Sequence, residues 1–296
     1  MLWSLLLLCF HSIRFALPGP CRVGQPLGVQ LPRNISREAA AAHSEKLFQQ
    51  FVWKFNRSYA AGSPEFVQKY KVFQESIQRH YSLNLISSIF LNESGFATYG
   101  INQFSDIPPQ VFRATYLSSR SVQLPKYISV FKDTKKPALP PKFDWRDKNV
   151  VTPVQNQQSS KAKLVKESEY PFSAKTGMCH YFSKSTFGVA IKGYKAFNFR
   201  YNEDIMMEKL LEWGPLVVVV DAVSWQDYLG GIIQHHCSQG KSNHAVVITG
   251  YDTTGDIPYW IVRNSWGTNW GIDGYVYIKM GRNICGIADS VAVAFV

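Results

Sequence analysis

A chain of 296 residues with 46% hydrophobic and 14% aromatic content can bury a sizeable core, in one large domain or two. Its formal net charge is +11, yet the basic residues are scattered, with no long Lys/Arg run and no basic patch interleaved with aromatics. That pattern counts against nucleic-acid binding and leaves only loose attraction to acidic glycans or anionic surfaces. No repeat of 20–50 residues is visible.

The apolar opening from Leu2 to Phe10 is too short to span a bilayer and is followed by Gly19-Pro20 and Cys21, which reads as a secretory signal peptide over residues 1–20. No Lys or Arg precedes the run, so a membrane anchor is the alternative; no later segment is long enough to span. Targeting to the secretory pathway, and on to a lysosome or the exterior, permits disulfides and gives meaning to the Asn-x-Ser sequons at Asn34, Asn56 and Asn92.

Between Glu38 and Phe55, residues Leu47, Phe48, Phe51, Val52 and Phe55 recur at helical spacing. Pro64-Glu65 opens a second predicted helix with Phe66, Tyr70, Phe73, Ile77 and Tyr81 on one face. Two such helices in tandem would cross and bury their aromatic stripes against each other. Gly100 to Asp106 reads as a short strand, with Asp106 placed to cap a helix from Pro108 to Tyr116. Residues 118–141 are polar, then Lys- and Pro-rich, which makes a protease-accessible linker.

Beyond the linker, Gly214-Pro215 leads into a core strand, Leu216 to Val220. Ser242-Asn243-His244 opens an apolar, β-branched run to Tyr251, a buried strand with a histidine at its mouth. A second run, Tyr259 to Val262, delivers Asn264 into the turn Asn264-Ser265-Trp266-Gly267-Thr268-Asn269-Trp270-Gly271. An asparagine carbonyl can accept a ring N–H and fix the imidazole's tautomer, while Trp266 keeps water from that bond. A lone histidine would be read as a core residue, but the combined pattern points to catalysis.

Together with Asp144-Trp145-Arg146, Gln157 and Cys285-Gly286, these residues resemble the papain-like cysteine peptidases, the lysosomal cathepsins among them. The phrase from Trp225 to Cys237 resembles one branch of the cathepsins in particular. Glu65, Lys69, Phe73 and Asn84 follow the family's spaced propeptide pattern, with Lys69, Ser76 and His80 replacing Arg, Asn and Ile; Gly100 to Asp106 fits its companion pattern fully. The resemblance implies an α+β fold: a helical half and a twisted antiparallel β half that offers His244 and Asn264 across a cleft, preceded by a helical inhibitory prodomain. It divides the chain into a propeptide over 21–138, whose tail would lie in the cleft, and a peptidase domain over 139–296. It makes His244 the base, Asn264 its orienter and Gln157 an oxyanion donor, with protein or peptide substrates. It also pairs Cys237 with Cys285.

One element is absent. The family's nucleophile stands in a Cys-Gly-x-Cys-Trp box six residues after the glutamine; Lys163 holds that place, and no such box occurs in the chain. The Cys-to-His spacing should be roughly 130–150 residues, whereas Lys163 precedes His244 by about eighty. A block of about fifty residues carrying the nucleophile and its helix is therefore missing, so the helical half is truncated while the β half is intact. A clean loss between intact flanks has the form of a skipped exon or an incomplete gene model. Cys179 loses its family partner with that block and becomes free or mispaired; the state of Cys21 stays open.

His235-His236-Cys237 suggests a metal site, but adjacent strand histidines face opposite ways and a fourth ligand is lacking, so neither metal nor cofactor is expected. Two functions stay open: a papain-like cysteine peptidase by lineage that is inactive without its nucleophile, or a binding protein whose prodomain inhibits related peptidases. A misfolded by-product is the third case.

Overall fold

The computed structural model describes residues 37–89, 95–117, 127, 138–152, 154, 192–237 and 242–295, without the side chains of 37–42 and 86–89. Gln157, Lys163, Cys21, Cys179, Asn34 and Asn92 lie outside these residues.

The first elements among the described residues are two helices, α1 (Arg37–Lys54) and α2 (Pro64–Ile89). Their crossing buries Leu47, Phe48, Phe51, Phe73 and Ile77 with Ile101 in a cluster of its own, the rings of Phe48 and Phe51 lying 5.2 and 5.1 Å from that of Phe73. Tyr81, expected on the same face, is exposed, and His80 is buried in its place. After Ile77 the inward stripe advances by three residues rather than four, as a helix of 3.6 residues per turn must do every few turns.

The chain then forms β1 (Thr98–Tyr99) and α3 (Pro109–Tyr116). The strand expected over Gly100 to Asp106 does not form there: β1 lies just before it, and Asn102 and Ser105 close a turn on themselves, the Asn102 N–H bonding Ser105 Oγ at 3.0 Å. Asp106 also departs from expectation. Pro108 occupies the N-cap of α3 with no side-chain cap, while the Asp106 carboxylate turns inward to the Tyr59 hydroxyl and the Arg57 guanidinium. A guanidinium offers a buried carboxylate more than one helix N–H does.

The second region comprises β2 (Lys142–Asp144), β3 (Gly193–Phe197), α4 (Glu203–Trp213), β4 (Leu216–Val220), β5 (Tyr228–Gly230), β6 (Ile232–Ile233), β7 (His244–Asp252), β8 (Tyr259–Arg263), β9 (Tyr275–Lys279) and β10 (Val291–Phe295). One sheet runs β3-β10-β4-β7-β8-β9-β6, with β2 added along β7. Its pairs are antiparallel except β6 with β9. β4 sits near the centre, and Leu216, Val218 and Val220 are fully buried, as alternation along a half-covered strand requires. β2 can cross so closely because residue 250 is glycine: a Cβ there would stand 2.4 Å from the Phe143 carbonyl oxygen.

Helix α4 packs Met206 and Leu210 into the same core as the sheet. Its first turn is tied down by Glu203, a buried carboxylate that accepts from Trp260 Nε1 at 3.1 Å and from the Gly281 N–H at 3.0 Å. Each fully buried Leu, Val or Ile here contributes about 1.5–3 kcal/mol.

Candidate active site

His244 opens β7 opposite Val220 of β4, and Asn264 follows the end of β8. Because β7 and β8 are antiparallel neighbours, the start of one and the end of the other meet at one edge of the sheet. His244 Nε2 lies 2.7 Å from Asn264 Oδ1. The Ser265 backbone N–H donates to the same atom at 2.8 Å, which identifies it as the amide oxygen. An oxygen can only accept, so Nε2 carries the proton and Nδ1 is left as the basic nitrogen.

The Trp266 ring stacks on His244, with centroids 4.8 Å apart and planes 27° from parallel. Trp266 is itself wedged edge-on against Trp270 at 4.8 Å. Burial pushes the His244 pKa below its ordinary value, and the bond to Asn264, which favours the protonated ring, offsets part of that. The disulfide Cys237–Cys285, with Cα atoms 5.0 Å apart, brackets the segment that holds both residues. Among the described residues no group of three or more His, Cys, Asp or Glu could hold a metal ion.

Two features beside the pair were not legible as site elements. Trp225, fully buried, presents its ring to His244 at 6.3 Å and stacks on Trp270 at 6.2 Å; only the phrase around it marked it out. The second is the reach of the N-terminal region. Phe104 and Phe112 stand edge-on to Trp266 at 5.9 and 5.2 Å, and Gln103 Nε2 donates to the Trp266 carbonyl at 2.7 Å. Asn102 Nδ2 donates to the Gln226 carbonyl at 2.8 Å, and Gln226 Nε2 returns a bond to the Ile107 carbonyl at 2.8 Å.

The strongest of these contacts is at Asp227, 1% exposed. Arg79 grips its carboxylate through Nε at 2.5 Å and Nη2 at 2.9 Å, and His80 Nε2 lies 3.0 Å from Oδ1. Burial alone would raise this carboxyl's pKa, but the hydrogen bonds from Arg79 and His80 outweigh it and hold the pKa below the ordinary range. His80 stands at the propeptide position where the family pattern has Ile, so a departure from the pattern is the only sequence signal here.

Comparison with known proteins agrees with the geometry. The papain family cysteine protease profile matches residues 158–295, and the cathepsin propeptide inhibitor domain matches residues 48–112. The chain is 48% identical to human (Homo sapiens) cathepsin O over 281 residues, covering 76% of this chain and 87% of that protein. It is 44% identical to mouse (Mus musculus) cathepsin O over 283 residues, covering 75% and 88%. Among solved structures, a recombinant stem bromelain precursor superposes with a TM-score of 0.70 at 24% identity, covering 86% of this chain and 99% of that one. Digestive procathepsin L2 from Tenebrio molitor larval midgut gives 0.70 at 23% identity, covering 86% and 100%; both likenesses concern the fold alone. The chain belongs to the papain family of cysteine proteases, with a cathepsin propeptide inhibitor domain ahead of its peptidase domain.

Proposed function

We propose that this protein descends from a lysosomal, cathepsin O-like endopeptidase that cleaves peptide bonds by a Cys/His/Asn mechanism, and that this chain is inactive because its nucleophile is missing. The observation that carries the reading is the His244–Asn264 pair: Nε2 is committed to Asn264 and Nδ1 is left basic, as a thiol-activating base needs. In such a site the imidazole takes the thiol proton, the imidazolium stabilises the thiolate, and Gln157 donates to the oxyanion. No cysteine stands in the attacker's place. Cys237 and Cys285 are consumed in the disulfide, and the family's cysteine position holds Lys163, whose charge would repel an imidazolium. The alignment with human cathepsin O supports a lost block. Its 281 positions against 76% of 296 residues (about 225) leave about 56 positions facing no residue of this chain.

Within this reading residues 1–20 are a signal peptide, 21–138 a propeptide and 139–296 the peptidase domain, with glycans on Asn34, Asn56 and Asn92. The test is to incubate refolded, linker-cut protein with fluorogenic dipeptides and an epoxide probe for catalytic thiols. Neither turnover nor labelling is expected. Inserting a family block with the Cys-Gly-x-Cys-Trp box between Gln158 and Lys161 restores both, and His244→Ala in that restored chain removes turnover. Turnover by the unrestored chain that Ser160→Ala or Cys179→Ala abolishes would overturn the reading.

A second reading, inhibition of related papain-like peptidases by the prodomain, is favoured by the separate α1/α2 aromatic cluster. A fragment spanning residues 25–136 should then be helical and slow such a peptidase; a helical fragment without effect on any of them sinks it.

A further inference from the structure

Three features of the segment 225–232 are satisfied in this structure by the N-terminal region. The first is an edge. β5 pairs with β1, and the bonding continues beyond the two strands: the Gly100 N–H donates to the Asp227 carbonyl at 2.9 Å, the Ala97 N–H to the Ile232 carbonyl at 3.0 Å, and the Ile232 N–H to the Gly95 carbonyl at 2.8 Å. Residues 98–100 thus lie antiparallel along 227–230 as an added strand, and beyond the turn at Gly231 the extended chain makes a parallel bridge from Phe96 to Ile232. The second is a glycine shaped to admit it. Gly231 has φ +77°, and a Cβ there would stand 2.1 Å from the Phe96 carbonyl oxygen, closer than any side chain allows. The third is the Asp227 carboxylate at the Gly100 end of that strand, filled by a two-pronged guanidinium and an imidazole.

All three partners leave together when the prodomain leaves. What is then exposed is an unpaired strand edge, a backbone-deep notch at Gly231 and a carboxylate that had been buried. A bare edge recruits an extended chain, and a carboxylate presented for two parallel N–H donors selects arginine over lysine and over acidic residues. The edge also borders the candidate site, since Trp225, two residues before Asp227, faces the His244 ring at 6.3 Å.

We propose that β5, Gly231 and Asp227 form a docking lip for an extended, arginine-bearing segment of another protein, which takes the place that Gly95–Gly100 and Arg79 hold in the uncleaved chain. The proposal rests on the reading of residues 21–138 as a removable prodomain. The prodomain is in this sense an internal copy of the ligand, and its displacement and the capture of the next chain use one surface.

The test cuts the full chain within residues 118–137 and follows prodomain release by size exclusion. A fluorescein-labelled peptide is then titrated by anisotropy: Gly-Phe-Ala-Thr-Tyr-Gly extended by three residues, with arginine at the first, second or third added position. A matched set carries glutamate instead. The expected result is that at least one arginine peptide binds at least tenfold more tightly than its glutamate counterpart. Asp227→Asn, which keeps size and shape, brings that ratio close to one, and Gly231→Ala weakens both sets. Melting curves confirm that each variant is folded, and Asp227→Asn decides if Gly231→Ala is not. Equal binding of the two sets, an unchanged ratio in Asp227→Asn, or no binding after the prodomain has left would each overturn the lip. A cut prodomain that stays bound against saturating peptide would instead overturn the removable-prodomain reading. In that case Arg79→Ala in the full chain, titrated with N-acetylarginine amide, judges the carboxylate alone: binding lost on Asp227→Asn supports the arginine site, and no binding ends it.

Discussion

Two polar groups lie seventeen residues apart on the same half of this molecule, the half-buried His244 and the buried Asp227, and they are satisfied in opposite ways. His244 finds its partner within its own sheet: Asn264 at 2.7 Å, with Trp266 stacked over the ring. Asp227 finds its partners in the prodomain, Arg79 and His80 on α2. The first arrangement keeps both its bonded partners when the prodomain leaves, although Phe104, Phe112 and Gln103 then no longer pack on Trp266. The second loses its partners, and removing one member of a buried ion pair leaves the other without compensation. The sheet thus carries its candidate catalytic pair as a finished unit, and its binding edge as one that another chain has to complete.

The contrast can be broken most severely from the prodomain side. Phe73→Ala opens the α1/α2 cluster and should cost about 3–5 kcal/mol of prodomain stability, read as lost amide protection in α2 by hydrogen exchange. The His244 titration followed by NMR should stay in place. A shift of that titration would show that the two regions are not separable. Next in size is Arg79→Ala, which strands a carboxylate that is 2% exposed and should cost about 3 kcal/mol of prodomain docking. Arg79→Lys should recover only part of it, since a single ammonium cannot reproduce the two-pronged contact. Full recovery by lysine would reduce the anchor to simple charge.

Asn264→Ala tests the other side. Losing one buried hydrogen bond should cost about 1–3 kcal/mol. It should also move the His244 midpoint further down, because Asn264 is what raises it against burial. Both groups have folded pKa values below their ordinary ones, so both contribute stability that is lost as pH falls, but in different windows. The His244 contribution is full above about pH 6.5 and lost as pH drops through its lower folded value, whereas that of Asp227 persists until below about pH 4. Between those limits denaturation at stepped pH should weaken the sheet's own pair while the Asp227 carboxylate stays charged; a carbonyl titration of Asp227 with its midpoint above 4 would contradict this. The smallest effect concerns the sugars. All three sequons lie before residue 100, so after linker cleavage glycosidase should increase the gel mobility of the prodomain band and leave the other band unchanged.

Much of the site could be read from the chain because it is built locally from strand starts and strand ends. A histidine opening β7 and an asparagine closing β8 are brought together by simple antiparallel pairing, and the alternation of Leu216, Val218 and Val220 identifies the strand beneath them. The two helices were legible from their aromatic spacing. What escaped was long-range. His80 was visible as a mismatch to a family pattern, yet its partner is 147 residues away, and nothing local says that a helix position turns toward a carboxylate rather than solvent. Tyr81 and Asp106 failed for related reasons. A stripe extrapolated by four drifts off the buried face, and a side chain suited to capping a helix was taken by the stronger donor, Arg57.

The disulfide has a practical consequence for any attempt to restore the enzyme. Cys237 and Cys285 close a loop with a sequence separation of 48, and that loop contains both His244 and Asn264. By loop-closure entropy, opening it should cost about 4 kcal/mol. Thiol nucleophiles are customarily kept alive in reducing buffer, so a restored cysteine and this bond place opposite demands on the solution. A reductant strong enough to rescue the one would loosen the clasp around the residues that are to activate it.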